Sequence, residues 1–434
     1  MRHVAIVGAG WSGLACAVEL AAAGDRVTVL DAAPQPGGRA RGVRVTLGDR
    51  DYPLDNGQHL LIGAYVETLR LMRAVGVDPA DAFLRLPFAL RYPDGMSLVA
   101  GRAPAPWHLA LALLRAQGLT WRERLAMIAL VERFKRQRWS VTPDCSAAEL
   151  LHGHPAVLIQ RLWRPLCIAA LNVPLETASA QTFLVVLRDS LGATSAASDL
   201  LLPLGDLSQL FPERAAQYLQ DCGAELRLRT LVDGVQPHAG GWRITTRAYS
   251  FDADAVVLAL PPPRAAALLQ PLGQRTAAAT THLRGVAMAP ITTVYLRYER
   301  GALPYPVYAL RDDPAREHFG QWVFDRGALD ARCAGVHSVV ISAPGPHETL
   351  GHAALEAAVA RQLRSALGLP LPLATVSIVD KRATIVPSPH LARPPTRLLP
   401  GLLLAGDAAA SPYPSTIEGS VRSGLAAART ILAG

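Results

Sequence analysis

Lysine is almost missing from this chain: Lys135 and Lys381 are the only two in 434 residues, so the formal charge of +8 rests on arginine. A lysine-poor, alanine- and arginine-rich composition follows from genome base bias alone, and global charge is therefore no argument for a nucleic-acid partner. Charged residues make up 18% and aromatic residues 6%, against 50% hydrophobic, an apolar balance for a soluble enzyme. The five cysteines are odd in number, widely spaced and never in a C-x-x-C pair, which argues against a zinc site or any other metal and for a reducing compartment. No apolar run reaches the ~18 residues of a spanning helix, so membrane contact has to be peripheral. The opening MRHVAIVGAG is already a strand and leaves no room for a cleavable leader, from which a cytoplasmic location is expected.

What is present begins at once. HVAIVGAGWSGLACAVELAAAGDRVTVLD reads as strand, glycine turn, helix, turn and strand, with Gly24 as the helix stop. Gly8, Gly10 and Gly13 form G-x-G-x-x-G, in which the first permits a tight turn, the second lets backbone approach a pyrophosphate and the third lets helix pack on strand. Trp11 and Ser12 open that helix, whose free N–H groups suit phosphate. Asp31 closes the second strand, where a carboxylate accepts hydrogen bonds from ribose hydroxyls and repels a 2′-phosphate. Directly after it, Gly37, Gly38 and Arg39 follow a proline turn, offering close backbone approach and a cation for phosphate oxygens.

Taken together, V-x-G-x-G-x-x-G-L, an acid and G-G-R resemble the FAD-binding opening of the flavin amine oxidase and carotenoid desaturase superfamily. The resemblance implies FAD and a second contact with it near the C-terminus. GLLLAGDAAASPYPSTIEGSVRSGLAAA supplies one: a buried strand ending in Gly406-Asp407, where the glycine admits the ribityl chain and the carboxylate accepts one of its hydroxyls, then a helix from Thr416 to Arg429 carrying Glu418. The expected fold is α/β, a Rossmann-like FAD-binding domain assembled from discontinuous segments (1–65, 201–265 and 390–434) with an interleaved α+β substrate domain (66–200 and 266–389). Ala224–Arg229, Trp242–Thr246 and Ala255–Leu260 read as short strands, with DGVQPHAGG as a hairpin-like turn. No second G-x-G-x-x-G lies between 100 and 400, so an electron donor has to come from outside.

Residues 107–138 read as two amphipathic helices around Gly118, the second with a Leu125, Ile128, Val131, Phe134 stripe. Arg102, Arg115, Arg122, Arg124, Arg133, Lys135, Arg136 and Arg138 there face only Glu123 and Glu132, an excess suited to anionic lipid headgroups at the inner face of a cell membrane. The alternative is a helical hairpin packed on its own core.

Three internal stretches, DNGQHLLIGAY (55–65), RLWRPLCIAALNVPLETASAQTF (161–183) and VDKRATIVPSP (379–389), resemble one branch of the superfamily, the bacterial hydroxysqualene dehydroxylases, with zeta-carotene desaturases as near relatives. The resemblance implies a long apolar isoprenoid substrate, loss of its hydroxyl by hydride from reduced FAD, and a functional link to hydroxysqualene-forming synthases. Gly57, Gln58 and His59 are then expected to face the flavin or the substrate oxygen, with His59 and Glu418 as candidate proton donors. The bland alternatives are that His59 bonds flavin or backbone, that Glu418 braces its helix and that Lys381 is a surface charge. Rival functions are a polyene desaturase running hydride the other way and a non-catalytic lipid-binding protein on the same fold; an amine oxidase is disfavoured by the low aromatic content.

Overall fold

The β-branched run His3–Val7 lies parallel to Arg26–Leu30 on one side and to Ala255–Leu258 on the other. In this computed structural model, which describes residues 1–434 except Arg102 and Arg300, these strands belong to a six-stranded sheet. Its order is Glu225–Arg227, Arg26–Leu30, His3–Val7, Ala255–Leu258, Leu402–Leu404 and Arg397–Leu399; the first five are parallel and the last antiparallel. Val4, Ile6, Val29, Val257 and Leu403 are buried, as a parallel sheet covered by helices requires. The layer is Rossmann-like and drawn from separated stretches of chain.

Each face of that sheet needs an apolar cover, and the chain supplies more of it than pattern alone suggested. On one face the first helix, Trp11–Ala22, and the C-terminal helix, Ile417–Leu432, share a core with Leu69, Leu71 and Met72 of the helix Val66–Ala74. On the other, helices Pro262–Leu269 and Ala277–Gly285 contribute Leu268, Leu269 and Leu283. Segments just beyond 65 and 265 therefore pack with the nucleotide layer. The stretch DGVQPHAGG is mostly strand, Val232–His238, and turns only at Ala239-Gly240, both at positive φ, before pairing with Gly241–Thr246.

A second, five-stranded antiparallel sheet carries the other half of the molecule, in the order Val307–Ala309, Trp322–Asp325, Val336–Ser342, Met288–Arg297 and Ala374–Ile385. The hairpin Gly42–Leu47/Arg50–Asp55 joins the halves, burying Val45, Leu47, Tyr52 and Leu54 against Tyr295, Cys333 and Val336. Its end is the DNGQH stretch.

Helices Trp107–Arg115 and Trp121–Arg136 stand where the pattern placed them, the second entered through a Thr120/Glu123 capping box. The expected stripe is divided, however. Phe134 is fully buried with Met127 and Leu130, whereas Leu125 (63% exposed) and Ile128 (46%) point out with Trp121. Period alone cannot choose which of two apolar stripes on one helix meets the core. Residues 159–190 form a π-helical turn, Ile159–Trp163, a helix to Leu171, a left-handed stop at Asn172 and a further helix, Ala180–Ser190.

The first and last helices approach so closely that a Cβ on Gly424 would stand 2.1 Å from the Ser12 carbonyl oxygen. Gly424→Ala is expected to force them apart and to lower stability by about 1–3 kcal/mol. Equilibrium unfolding in urea measures this, and an unshifted midpoint would show that the helices slide at no cost.

Candidate functional site

The glycine turn is built backbone against backbone. Gly8 has φ +113°, its N–H donates to the Leu30 carbonyl (2.7 Å), and a Cβ there would meet Ala259 O at 2.3 Å. A Cβ on Gly13 would lie 1.9 Å from Gly8 O. Gly10 differs: a Cβ on it would touch only Gly38 Cα, at 3.9 Å, so its outer face is open to a ligand. Gly10 caps the first helix with no side-chain acceptor, and the first turn has no acidic residue. Its N–H groups are thus left for an anion. Ser12 is buried, its hydroxyl has no partner, and it sits beside Gly406, whose Cβ would be 3.7 Å from Ser12 Oγ. An open glycine, an uncapped helix start and an orphaned buried hydroxyl fit the diphosphate half of FAD.

Asp31 accepts from Ala9 N–H (2.6 Å) and Ala33 N–H (2.8 Å), one on each oxygen. A carboxylate has about four acceptor sites, which leaves capacity for ribose. The Trp11 side chain is committed elsewhere: its indole N–H donates to Ala40 O (2.8 Å) and its ring packs on Phe211, so only its backbone reaches the helix N-terminus. Arg39 is likewise engaged. One terminal nitrogen donates to Asp407 Oδ2 (2.5 Å) and the other to Ala383 O (2.7 Å), so the guanidinium expected on a phosphate ties the G-G-R turn to the C-terminal motif. Asp407 Oδ1 accepts from Ser415 Oγ (2.8 Å), and Gly406, at φ +73°, donates its N–H to Ser423 Oγ (2.9 Å). Ser415 and Ser423 were not singled out in the sequence; serines 8 and 17 residues from their partners in the Gly406-Asp407 motif carry no signal until the helix is in place.

The DNGQH stretch spreads its four polar side chains over several elements. Asn56 Nδ2 donates to Arg39 O (3.2 Å), joining it to the G-G-R turn. Gln58 is buried: its Oε1 accepts from Ser338 Oγ (2.9 Å) and its backbone N–H donates to Thr293 Oγ1 (3.3 Å), pinning it to two strands of the antiparallel sheet. Gly57 has only Thr293 Oγ1 within contact range, at 3.5 Å from a built Cβ, so close approach from the other side is open. His59 Nδ1 and the Gly57 carbonyl are 2.6 Å apart, which makes Nδ1–H the donor and leaves Nε2 for other work. Burial holds the imidazole below its ordinary value of 6.5.

Glu418 is placed as a brace. It is 3% exposed; one oxygen accepts from Glu67 N–H (3.1 Å) and Arg422 Nε–H (2.7 Å), the other from Thr68 N–H (2.9 Å) and Thr68 Oγ–H (2.7 Å). Four donors aimed at one carboxyl engage both of its oxygens and cap the helix Val66–Ala74. The proton-donor role expected there gains no support from this arrangement, in which both oxygens are spent on bracing. The C-terminal helix is also capped by its own Thr416, which accepts from Gly419 N–H (3.0 Å), so its N-terminus is less free than anticipated. Lys381 is exposed on its strand.

Asp55 is the strongly perturbed acid of the region. It is 1% exposed, Oδ1 accepts from Leu207 N–H (2.8 Å), and Oδ2 has no partner. Burial pushes its carboxyl up to about 7, and the nearby Arg326 guanidinium only partly opposes this.

The chain matches the family model for flavin containing amine oxidoreductase over residues 11–432. It is 31% identical over 448 residues to the hydroxysqualene dehydroxylase of Sinorhizobium fredii, covering 98% of this chain and 97% of that one. It is 30% identical over 452 residues to that of Rhodopseudomonas palustris, covering 100% and 99%. The zeta-carotene desaturase of Arabidopsis thaliana is 26% identical over 332 residues, covering 68% of this chain and 57% of that protein. Among solved structures, a putrescine oxidase aligns with a TM-score of 0.72 at 18% identity, covering 100% of this chain and 99% of that one. The cyclohexylamine oxidase of Brevibacterium oxydans aligns at 0.69 and 20%, covering 99% and 98%. The chain belongs to the flavin containing amine oxidoreductase family and is an FAD-dependent oxidoreductase.

In the unfolded chain Asp55 ionises near 3.8, whereas in the fold it keeps its proton to about 7. Between these values folding takes up a proton, so this group's contribution to stability weakens as pH rises through that window and stays low above it. Asp55→Asn is expected to flatten the profile: urea midpoints at about pH 5 and about pH 8 should differ less than in the wild type. Parallel profiles would place the carboxyl's titration outside that window.

Proposed function

We propose that this family member removes the hydroxyl of hydroxysqualene to give squalene, by hydride transfer to the carbon that bore it. The observation carrying this reading is the match along nearly the whole chain to two proteins named hydroxysqualene dehydroxylase, at 31% and 30% identity. Reduced FAD, when bound, supplies the hydride. The chain's own residues supply position, dryness and a proton. Breaking the C–O bond of an allylic alcohol spreads positive charge over the adjacent alkene, and the hydroxyl leaves as water if it is protonated as it departs. With Nδ1–H held by the Gly57 carbonyl, a protonated His59 has Nε2–H available for that oxygen. The Gln58 contacts to Ser338 and Thr293 fix the segment carrying it, and the substrate's long arms lie among the apolar residues of the second half of the molecule. The electron donor comes from outside, and the hydroxylated substrate comes from a synthase that forms it.

The alternative is a polyene desaturase, favoured by the match to a zeta-carotene desaturase over 68% of this chain. Anaerobic incubation of the flavin-reduced enzyme with hydroxysqualene, followed by lipid mass spectrometry, is expected to yield squalene. A conjugated product from zeta-carotene with oxidised enzyme and a quinone would support the alternative instead. His59→Ala is expected to retain flavin absorbance and to lose about 100-fold in kcat. Because burial lowers the imidazole's value, the protonated form gathers as pH falls below 6.5, so wild-type kcat should rise there and His59→Gln should not follow. Unchanged turnover in both variants removes His59 from the reaction.

We further propose peripheral binding to the inner face of the cell membrane. Among the described residues no helix is long and apolar enough to cross a membrane. Trp107, Leu114, Trp121, Leu125 and Ile128 are 46–66% exposed on neighbouring helices, the face that a helix on its own core turns to water as polar side chains. Arg115, Arg122, Arg136 and Arg138 around them are exposed; Arg102 lies outside the described residues. Two tryptophans and a basic ring suit an anionic headgroup region. The full chain is expected to float with vesicles containing phosphatidylglycerol and to do so about tenfold less with neutral ones at low salt. Trp121→Ser/Leu125→Ser/Ile128→Ser should stay behind; a wild-type dimer without vesicle binding would give this face to a second copy instead.

A further inference from the structure

Arg326 is 1% exposed, a whole guanidinium inside the fold, and it reaches the DNGQH stretch from 268 residues away. Its backbone is held where the strand Trp322–Asp325 ends. The N–H donates to Val336 O (2.9 Å), and the carbonyl accepts from Leu329 N–H (3.1 Å) and Asp330 N–H (2.9 Å), so the side chain leaves from a fixed point.

Among the described residues no carboxylate is hydrogen-bonded to this guanidinium. Asp330, beside it in sequence, accepts from Arg332 Nε–H (3.0 Å) and Nη2–H (2.7 Å), and Asp55 Oδ2 has no partner. What Arg326 meets is Gln58 Oε1, 3.5 Å from Nη1, and Gly205 O, 3.5 Å from Nη2, while Nε is unpaired. Both contacts are long, so strong bonds do not offset the burial of this charge. A residue that breaks the rule for buried cations calls for a role beyond stability.

The role lies at Gln58, whose amide has an acceptor at one end and a donor at the other. Ser338 Oγ is 2.9 Å from Oε1, but a hydroxyl suits either end of an amide; arginine has donors alone, so only the oxygen can face it. With Oε1 turned to Arg326, Nε2–H is turned to His59 O (3.0 Å), and His59 Nδ1–H in turn meets Gly57 O (2.6 Å). A reversed amide would set Oε1 against the His59 carbonyl, one acceptor facing another.

We infer that Arg326 is a positioning residue whose guanidinium fixes the Gln58 amide and, through it, the turn that carries His59. The imidazole can carry a proton on Nε2 for the substrate only while Nδ1–H stays with Gly57. That consequence for turnover rests on the dehydroxylation reading above, whereas the order of the turn does not.

The test follows His59 in the flavin-loaded full chain by nitrogen NMR of ring-labelled histidine, its signals assigned by their absence from His59→Gln. At a pH where the ring is neutral, the wild type is expected to hold the Nδ1–H tautomer in about tenfold excess. Arg326→Met, which keeps the stem and removes the donors, should bring the two tautomers to within about twofold of each other. Gln58→Glu, which keeps an acceptor for Arg326 and loses the donor to His59 O, should do the same. Arg326→Lys keeps the charge without the planar fork and should fall between, which decides the matter if the methionine variant does not fold. In the variants with mixed tautomers kcat should fall about tenfold while KM stays within about twofold. A single tautomer persisting in every Arg326 variant that folds overturns the inference, as does a mixed population in the wild type. Mixed tautomers in the variants, with no squalene formed by the wild type, overturn the reaction alone.

Discussion

The molecule depends on a column of contacts in which carbonyl oxygens stand where side chains would otherwise be. Gly424 faces Ser12 O, Gly13 faces Gly8 O, and Gly8 faces Ala259 O, each closer to a built Cβ than 2.4 Å. This column binds the C-terminal helix to the first helix, the first helix to its own strand, and that strand to the crossover after Ala255–Leu258. It brings together residues more than 400 positions apart in sequence, and only then can Arg39 reach Asp407. The ion pair follows from the packing rather than driving it, since a partly exposed pair contributes little by itself. Its value lies in holding the Gly38 turn and the Gly406 turn at fixed places relative to one another.

The same layer explains how Glu418 comes to brace its neighbour. Once the C-terminal helix is seated, Glu418 lies beneath the first turn of Val66–Ala74, where backbone N–H groups are unpaired by the geometry of any helix. Two such N–H groups, a hydroxyl and Arg422 all donate to it. Asp55 shows the opposite balance: one backbone donor and a single neighbouring guanidinium do not offset full burial. Two carboxyls equally deep in the fold thus differ in how many donors surround them, a distinction that burial alone does not make.

The nucleotide turn was legible in the sequence because its chemistry is local: Gly8, Gly10, Gly13 and Asp31 lie within one strand-helix-strand unit whose spacing is set by backbone geometry. Gly406-Asp407 was legible through the strand before it and the helix after. The partners of Gln58 were not, because Ser338 and Thr293 come from strands 235 and more residues away, and no local pattern marks them. Glu418 misled for the same reason, its four donors coming mostly from residues 67 and 68. The Asp407 partner of Arg39 was not legible either, since a cation beside a glycine turn suits a carboxylate as well as a phosphate. On Trp121–Arg136 the period gave the helix but not its orientation, because both Met127–Leu130–Phe134 and Trp121–Leu125–Ile128 satisfy it.

The DNGQH stretch gathers these constraints into one device. Four residues apart, Asp55 and His59 are both desolvated, and desolvation favours the neutral form of each, raising the carboxyl and lowering the imidazole. Burial therefore works against charge on the segment between the two halves of the molecule, while Arg39 and Asp407 are paired with one another beside the glycine turn. Hydrogen bonding acts on both ends of this one short segment, tying His59 Nδ1 to the Gly57 carbonyl and Asp55 Oδ1 to the Leu207 N–H.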